Sequence, residues 1–217
     1  LMKKYVDAMP LYRQEQMWKR MGVELKRGTM ANWVIQVADL YLRPFWKRIR
    51  SELLTQSTIH ADETVMQVHK EKDRPNTSES RMWVYSSAKR TAIQLRCFEY
   101  RESRSGKWAK TFLEGFSGVL ITDGYSGYNK VQGAERAGCW AHMRRKWLEA
   151  MPEGADAKTC KAAEGYEFCN RLFELERQFE GLTAEERLIQ RKEKSGLILE
   201  AYWTWLYTIP RPTGKLK

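Results

Sequence analysis

No run of the 217 residues approaches the roughly 18 consecutive apolar residues of a membrane-spanning helix, and no short apolar segment follows a basic start. With neither signal present, the cytosol is the expected location. Cysteine is scarce as well. Cys97, Cys139, Cys160 and Cys169 form no C-x-x-C pair, so reduced, mostly buried thiols are expected rather than a metal knuckle or a disulfide framework. Cys139-Trp-Ala-His142 could supply two zinc ligands, but no second pair accompanies it. Acidic residues are outnumbered, 27 against 38 Lys plus Arg, for a formal charge of +11. That imbalance favours a polyanionic partner, although a basic soluble protein with no such partner has the same composition.

What is present suits a packed core. Hydrophobic residues make up 42%, including nine Trp and ten Tyr, which excludes global disorder. Residues 10–54 read as helical. Pro10 opens a segment carrying Leu11, Met17, Trp18 and Met21, and Gly22 closes it. A second helix is expected from about Thr29, with Trp33, Val37, Leu40 and Tyr41 at helical spacing, and Pro44 should bend or restart it before Phe45–Leu54. The order resembles a helix-turn-helix whose Lys19, Arg20, Lys26 and Arg27 could meet phosphates, but the interval from Gly22 to Thr29 is long for a DNA-reading turn, which favours an ordinary helical hairpin.

From residue 57 the period changes to that of strands. STIHADETVMQVH (57–69), RMWVYSS (81–87) and TAIQLRCFEY (91–100) read as three strands, the last two forming a hairpin over residues 88–90. Ser105 is placed to cap a helix bearing Trp108, Phe112, Leu113 and Phe116. Val119-Leu120-Ile121 reads as a strand buried on both faces, ERAGCW as a further strand, and 141–150 as a helix with Met143, Trp147, Leu148 and Met151 on one stripe. Residues 157–217 read as a helical hairpin, with Thr183-Ala-Glu-Glu186 as a capping box, Ser195-Gly196 as a weak point and a C-terminal aromatic stripe assigned to packing. The order β-β-β-α-β-α-β-α implies a mixed α/β sheet with flanking helices, as in the ribonuclease H-like fold. The expected divisions are 1–55 as an N-terminal helical segment, 56–150 as the core and 151–217 as a helical insertion.

Asp62 interrupts the first strand and Asp123 ends the fourth. If strands one and four are adjacent, two carboxylates converge where open α/β sheets bind ligands. They would repel unless protonated or bridged by a cation. Hard oxygen ligands on a basic protein suit Mg²⁺ or Mn²⁺ and a phosphodiester, and two such ions could serve an in-line displacement. The alternative stays open: Asp123-Gly124 is also a turn signal, and Asp62 could bond only to backbone. Glu63 should point to the opposite face from Asp62, a worse ligand and more a neighbour that helps position the site.

YVDAMPLYRQEQMWKRMGVELKRGTMANWV, IHADETVMQV, RMWVYSS, GFSGVLITDGYSGYN and GCWAHMRRKWLEAM occur in that order, and together they resemble the transposases of insertion-sequence family sixty-six over essentially the whole chain. The resemblance implies a DDE-type DNA transposase that hydrolyses a phosphodiester at the transposon end and transfers the freed 3′-OH to target DNA. It implies two Mg²⁺ or Mn²⁺ ions in the complete site, with Asp62 and Asp123 as the first two acidic ligands and Glu63, Gly124 and Tyr125 supporting them. His142, Arg144, Arg145 and Lys146 would hold a scissile-strand phosphate, with a solvated basic helix face as the plainer reading of the last two. Partners implied are the transposon ends and target DNA, a homodimer on DNA, other proteins of the same element and no membrane; the location implied is the nucleoid. The third acidic residue of the pattern, in an Asn-rich acidic motif downstream, is not found. Glu149, Glu164 and Glu167 could each be proposed for that role, but the chain reads as a fragment, inactive alone. Two rival readings remain: a non-catalytic DNA-binding or assembly module, and a nuclease of the same fold that cuts without joining.

Overall fold

The computed structural model of the chain describes residues 1–71, 73–154 and 160–210. The segments at residue 72 and at 155–159 and 211–217 lie outside the described residues, so the expected 70–80 loop and the 151–217 insertion are seen only in part. Helices come first: α1 (Met2–Tyr5), α2 (Leu11–Arg20), α3 (Arg27–Val37), a π-helical turn at Ala38–Leu42 and α4 (Arg43–Leu54). Pro10 is the N-cap of α2, and Gly22 follows its C-terminus at φ +78, a left-handed position that costs glycine little. α3 starts two residues before the expected Thr29 because the Arg27 N–H finds an acceptor in Glu15 Oε1 at 2.9 Å. Pro44 lies in the first turn of α4, which the chain enters in helical conformation directly from the π turn.

Five strands follow among the described residues: β1 (Thr58–Gln67), β2 (Glu79–Ser87), β3 (Arg96–Arg101), β4 (Val119–Thr122) and β5 (Glu135–Gly138). They form one mixed sheet in the order β3-β2-β1-β4-β5. The meander β1-β2-β3 is antiparallel, with Glu63 opposite Trp83 and Trp83 opposite Glu99. Between the strands and after them run α5 (Lys107–Phe112), a 3₁₀ turn at Ser126–Lys130, α6 (Trp140–Ala150), α7 (Lys161–Gln178), α8 (Ala184–Gln190), a second π turn at Arg191–Ser195 and α9 (Gly196–Thr208).

Four expectations about these elements are corrected. The third strand begins at Arg96, not Thr91. Thr91 Oγ1 donates to the carbonyls of Ala88 and Ile93, and Gln94 Nε2 donates to those of Ala88 and Lys89, closing a wide turn over residues 88–95. α5 takes Gly106, not Ser105, as its N-cap and stops at Phe112. β4 alternates, with Leu120 and Thr122 buried and Val119 and Ile121 half-buried, instead of being covered on both faces. On α6, Trp147 is buried, whereas Met143 and Leu148 of the expected stripe are exposed.

The chain divides into two compact units, Leu1–Leu120 with Gly127–Glu135, and Ile121–Ser126 with Arg136–Lys217. The first is centred on the inner face of the meander. Ile59, Trp83, Tyr85 and Cys97 are fully buried there, with Leu53 from α4 and Phe112, Leu113 and Phe116 from α5 and its exit. Tyr85 stacks on Phe112 at 3.6 Å between ring centroids. Arg50 Nε donates to the Phe112 carbonyl at 2.9 Å, which satisfies the C-terminus of α5 from α4. In the second unit Trp147, Ala162, Cys169 and Tyr202 are buried together, with Trp140, Phe168 and Trp205 packed around them. The aromatic stripe of α9 is thus mainly core, as expected. Thr183 and Glu186 form the full capping box of α8.

Candidate functional site

Strand β1 alternates faces, and this sorts its two acids. Asp62 is exposed, and its Oδ1 accepts the N–H of Glu63 at 2.9 Å. The Glu63 side chain turns inward and is only 1% exposed. Such a carboxylate is tolerated only if bonded. Arg104 Nε donates to its Oε1 at 2.5 Å, and Tyr128 Oη donates to its Oε2 at 2.6 Å. Tyr128 itself is fully buried, edge-on to Trp83 at 5.8 Å. Glu63 is therefore a buried clamp within the first unit. Neither Arg104 nor Tyr128 was singled out from the sequence, and the signal that would have found them is the inward parity of Glu63, which requires donors.

Asp123 follows the last residue of β4 and is half-buried. Its Oδ1 accepts the Tyr125 N–H at 2.9 Å, an Asx turn that folds the chain back across Gly124. Arg136 Nη2 donates to Thr122 Oγ1 at 2.9 Å and to the Asp123 carbonyl at 3.1 Å, and the Cys139 N–H donates to the Thr122 carbonyl at 2.9 Å. The end of β4 is thus fixed through its backbone by β5 within the second unit. Gly124 is exposed and Tyr125 half-buried.

Asp62 belongs to the first unit and Asp123 to the second, and each carries a carboxylate, the hard oxygen donor that Mg²⁺ and Mn²⁺ prefer. Among the described residues no group of three or more His, Cys, Asp or Glu side chains is arranged to hold a metal ion. The three glutamates weighed for a third ligand have local partners: Glu149 with Lys146 at 3.2 Å, Glu164 with Lys161 at 2.9 Å, and Glu167 with Asn170 Nδ2 at 3.4 Å.

The basic residues differ in what they are tied to. Arg144 donates from Nε to Asn170 Oδ1 at 2.7 Å, hydrogen-bonds Tyr166 Oη and lies over the Tyr166 ring, fastening α6 to α7. Arg145 and Lys146 are exposed on α6, and His142 is half-buried one turn earlier. Lys26 and Arg27 are exposed at the start of α3, with the Arg27 guanidinium 6.0 Å from the Tyr12 ring centroid. The cysteines are all free thiols, and burial pushes those of Cys97 and Cys169 up to about 11. Among the described residues no helix is long and apolar enough to cross a membrane.

Comparison with known proteins agrees with the motifs. The model of the transposase IS66 family matches residues 1–215. The uncharacterised protein y4qI of Sinorhizobium fredii (strain NBRC 101917 / NGR234) is 29% identical across 99% of this chain and 42% of its own length. The uncharacterised protein y4hP of the same strain is 30% identical across 95% of this chain and 40% of its own length. The chain therefore spans about two-fifths of the length of the curated relatives it matches. No solved structure matches. With a family match over nearly every residue, this chain belongs to the IS66 family of transposases.

Proposed function

We propose that the chain forms part of the catalytic region of a DNA transposase with a ribonuclease H-like sheet. In this reading Asp62 and Asp123 are two acidic ligands of Mg²⁺ or Mn²⁺. The whole protein hydrolyses a phosphodiester at each transposon end and joins the freed 3′-OH to target DNA. The observation that carries the reading is topological: β1 and β4 are neighbours in the sheet, Asp62 is borne on β1, and Asp123 directly follows β4.

The bound ions would polarise the scissile phosphodiester and lower the pKa of the attacking oxygen's proton. The chain's own contribution is charge and placement. Asp62 is displayed outward because Glu63, its neighbour of opposite parity, is clamped inward. Asp123 is held by its turn to Tyr125, on a strand end braced by Arg136. His142, Arg145 and Lys146 on α6, with Arg27 at the start of α3 and Lys26 as its N-cap, add positive charge for the DNA backbone. In this reading the chain supplies two of the acidic ligands, Asp62 from β1 and Asp123 from the end of β4.

The test uses the full-length protein with a duplex carrying the transposon end. Asp62→Asn and Asp123→Asn are each expected to abolish cleavage and joining while DNA binding persists. Joining retained by Asp123→Asn would refute the mechanism.

A further inference from the structure

The inner face of the meander carries acids where a core normally carries none. Glu63 on β1 and Glu99 on β3 both lie opposite Trp83, one on each side of it. Their side chains are 1% and 12% exposed. Each holds an arginine from the end of β3 or just beyond it: Glu99 pairs with Arg101, the last residue of β3, and Glu63 with Arg104. The arginines reach outward, with side chains 29% and 44% exposed. Two buried carboxylates thus fix the directions of two guanidinium groups that border solvent.

The backbone of this segment is fixed too. Trp83 Nε1 donates to the Ser103 carbonyl at 3.4 Å, and Trp108 Nε1 donates to Ser103 Oγ at 3.1 Å. Gly106 is seated so closely on residue 127 that a Cβ there would lie 2.2 Å from the Gly127 carbonyl oxygen. Around this frame the sequence Arg101–Lys110 also places Lys107 and Lys110 at the surface. Arg101 and Lys107 lie 4.2 and 4.0 Å from the Trp108 ring centroid. A ring so engaged by cations serves to hold them, not to stack on a base. The surface is therefore suited to phosphate and indifferent to base identity.

We propose that Arg104, on the loop between β3 and α5, and Lys107, the first residue of α5, contact the phosphodiester backbone of DNA, with Glu63 as the positioning residue for Arg104. The proposal rests on the reading of the chain as part of a DNA transposase and names a contact surface beyond α3 and α6. A guanidinium held on one edge by a buried carboxylate is preorganised, so little rotamer entropy is lost when a phosphate arrives.

The experiment is DNA binding by this chain in EDTA, followed by fluorescence anisotropy of a labelled duplex across a salt series. Arg104→Ala and Lys107→Ala should each weaken binding about three- to tenfold and reduce the slope of log K against log salt by about one. Lys192→Ala, an equal change of charge in the second unit, should move the slope less. Glu63→Gln separates orientation from bulk charge: removing an acid should tighten binding if only net charge matters, whereas loss of positioning weakens it. Unchanged slopes for both cation variants, or tighter binding by Glu63→Gln, would overturn the proposal. Lys107 lies at the surface, so its variant remains informative if Arg104→Ala fails to fold. Because binding is read in EDTA, normal salt-dependent binding by this chain together with no cleavage by the full-length protein supplied with Mg²⁺ or Mn²⁺ would refute the metal reading and leave this one standing. Absence of salt-dependent binding by the parent chain would refute this one alone.

Discussion

The bond between Tyr128 and Glu63 offers a direct thermodynamic test of the buried clamp. Tyr128→Phe removes one hydroxyl from a fully buried ring and leaves the apolar contacts with Trp83 in place. The lost bond is 2.6 Å long and ends on a carboxylate that is 1% exposed. Bonds to buried charged groups contribute about 1.5–3 kcal/mol, so a cost of about 2 kcal/mol is expected. Glu63→Gln keeps the shape but turns an amide N–H₂ toward one of two donors. Breaking a buried ion pair costs about 3–5 kcal/mol, but the Arg104 side is 44% exposed and solvent screens it, so about 2 kcal/mol is again expected. Once Glu63 is replaced, the Tyr128 hydroxyl has lost its charged acceptor. The double variant should therefore cost less than the sum of the two, with a coupling of about 1 kcal/mol or more. Urea unfolding followed by tryptophan fluorescence measures all four corners of the cycle. Additivity within about 0.3 kcal/mol would show that the two side chains are energetically independent, and the clamp would fail as an explanation of how β1 presents Asp62.

Two further outcomes follow from burial and backbone geometry. Cys97 and Cys169 titrate near 11 because burial disfavours their thiolates, against an ordinary value of 9.0. The folded state therefore keeps its thiol protons longer than the unfolded chain does. Stability from each is complete below pH 9, falls as pH rises toward 11, and amounts to on the order of 2–3 kcal/mol. At pH 8 a thiol reagent should modify Cys139 and Cys160 well before these two, and equal rates at all four would contradict the assignment. Gly106→Ala should cost about 3 kcal/mol or more, because its Cβ meets backbone that cannot rotate away. Gly28→Ala in α3 meets nothing within 4 Å and should stabilise by about 0.5–1 kcal/mol, so thermal melts of the pair should shift in opposite directions.

Much of this architecture is legible in local chemistry. The Pro10 and Gly22 boundaries, the Thr183–Glu186 box and the change of hydrophobic period at residue 57 act within a few residues of themselves, and each appears where the pattern puts it. Ser195-Gly196 marks the junction between the second π turn and α9 for the same reason. The start of β3 was not legible. Ile93 and Leu95 alternate like strand residues, but Thr91 and Gln94 compete for the same carbonyls and win, leaving Ile93 exposed. At the site, the parity of β1 separates Asp62 from Glu63 correctly. It could not reveal that Glu63 bonds Tyr128, because that partner is 65 residues away. Nor could it show that Arg144, which reads as a phosphate ligand, is occupied by Asn170 and Tyr166 of α7.

The path of the chain between the two units has a practical meaning for anyone wishing to divide the protein. After Leu120 the polypeptide enters the second unit for Ile121–Ser126, returns to the first for Gly127–Glu135, and leaves again at Arg136. No single cut releases both units whole. A chain ended at Leu120 would keep the entire meander and still lose Tyr128, stranding the Glu63 carboxylate without one of its two donors. A chain ended at Glu135 would restore that donor but remove Arg136, which braces the end of β4. The first cut thus damages the first unit and the second cut leaves the end of β4 unbraced, so the smallest piece that keeps both acid-bearing strands properly supported must include β5.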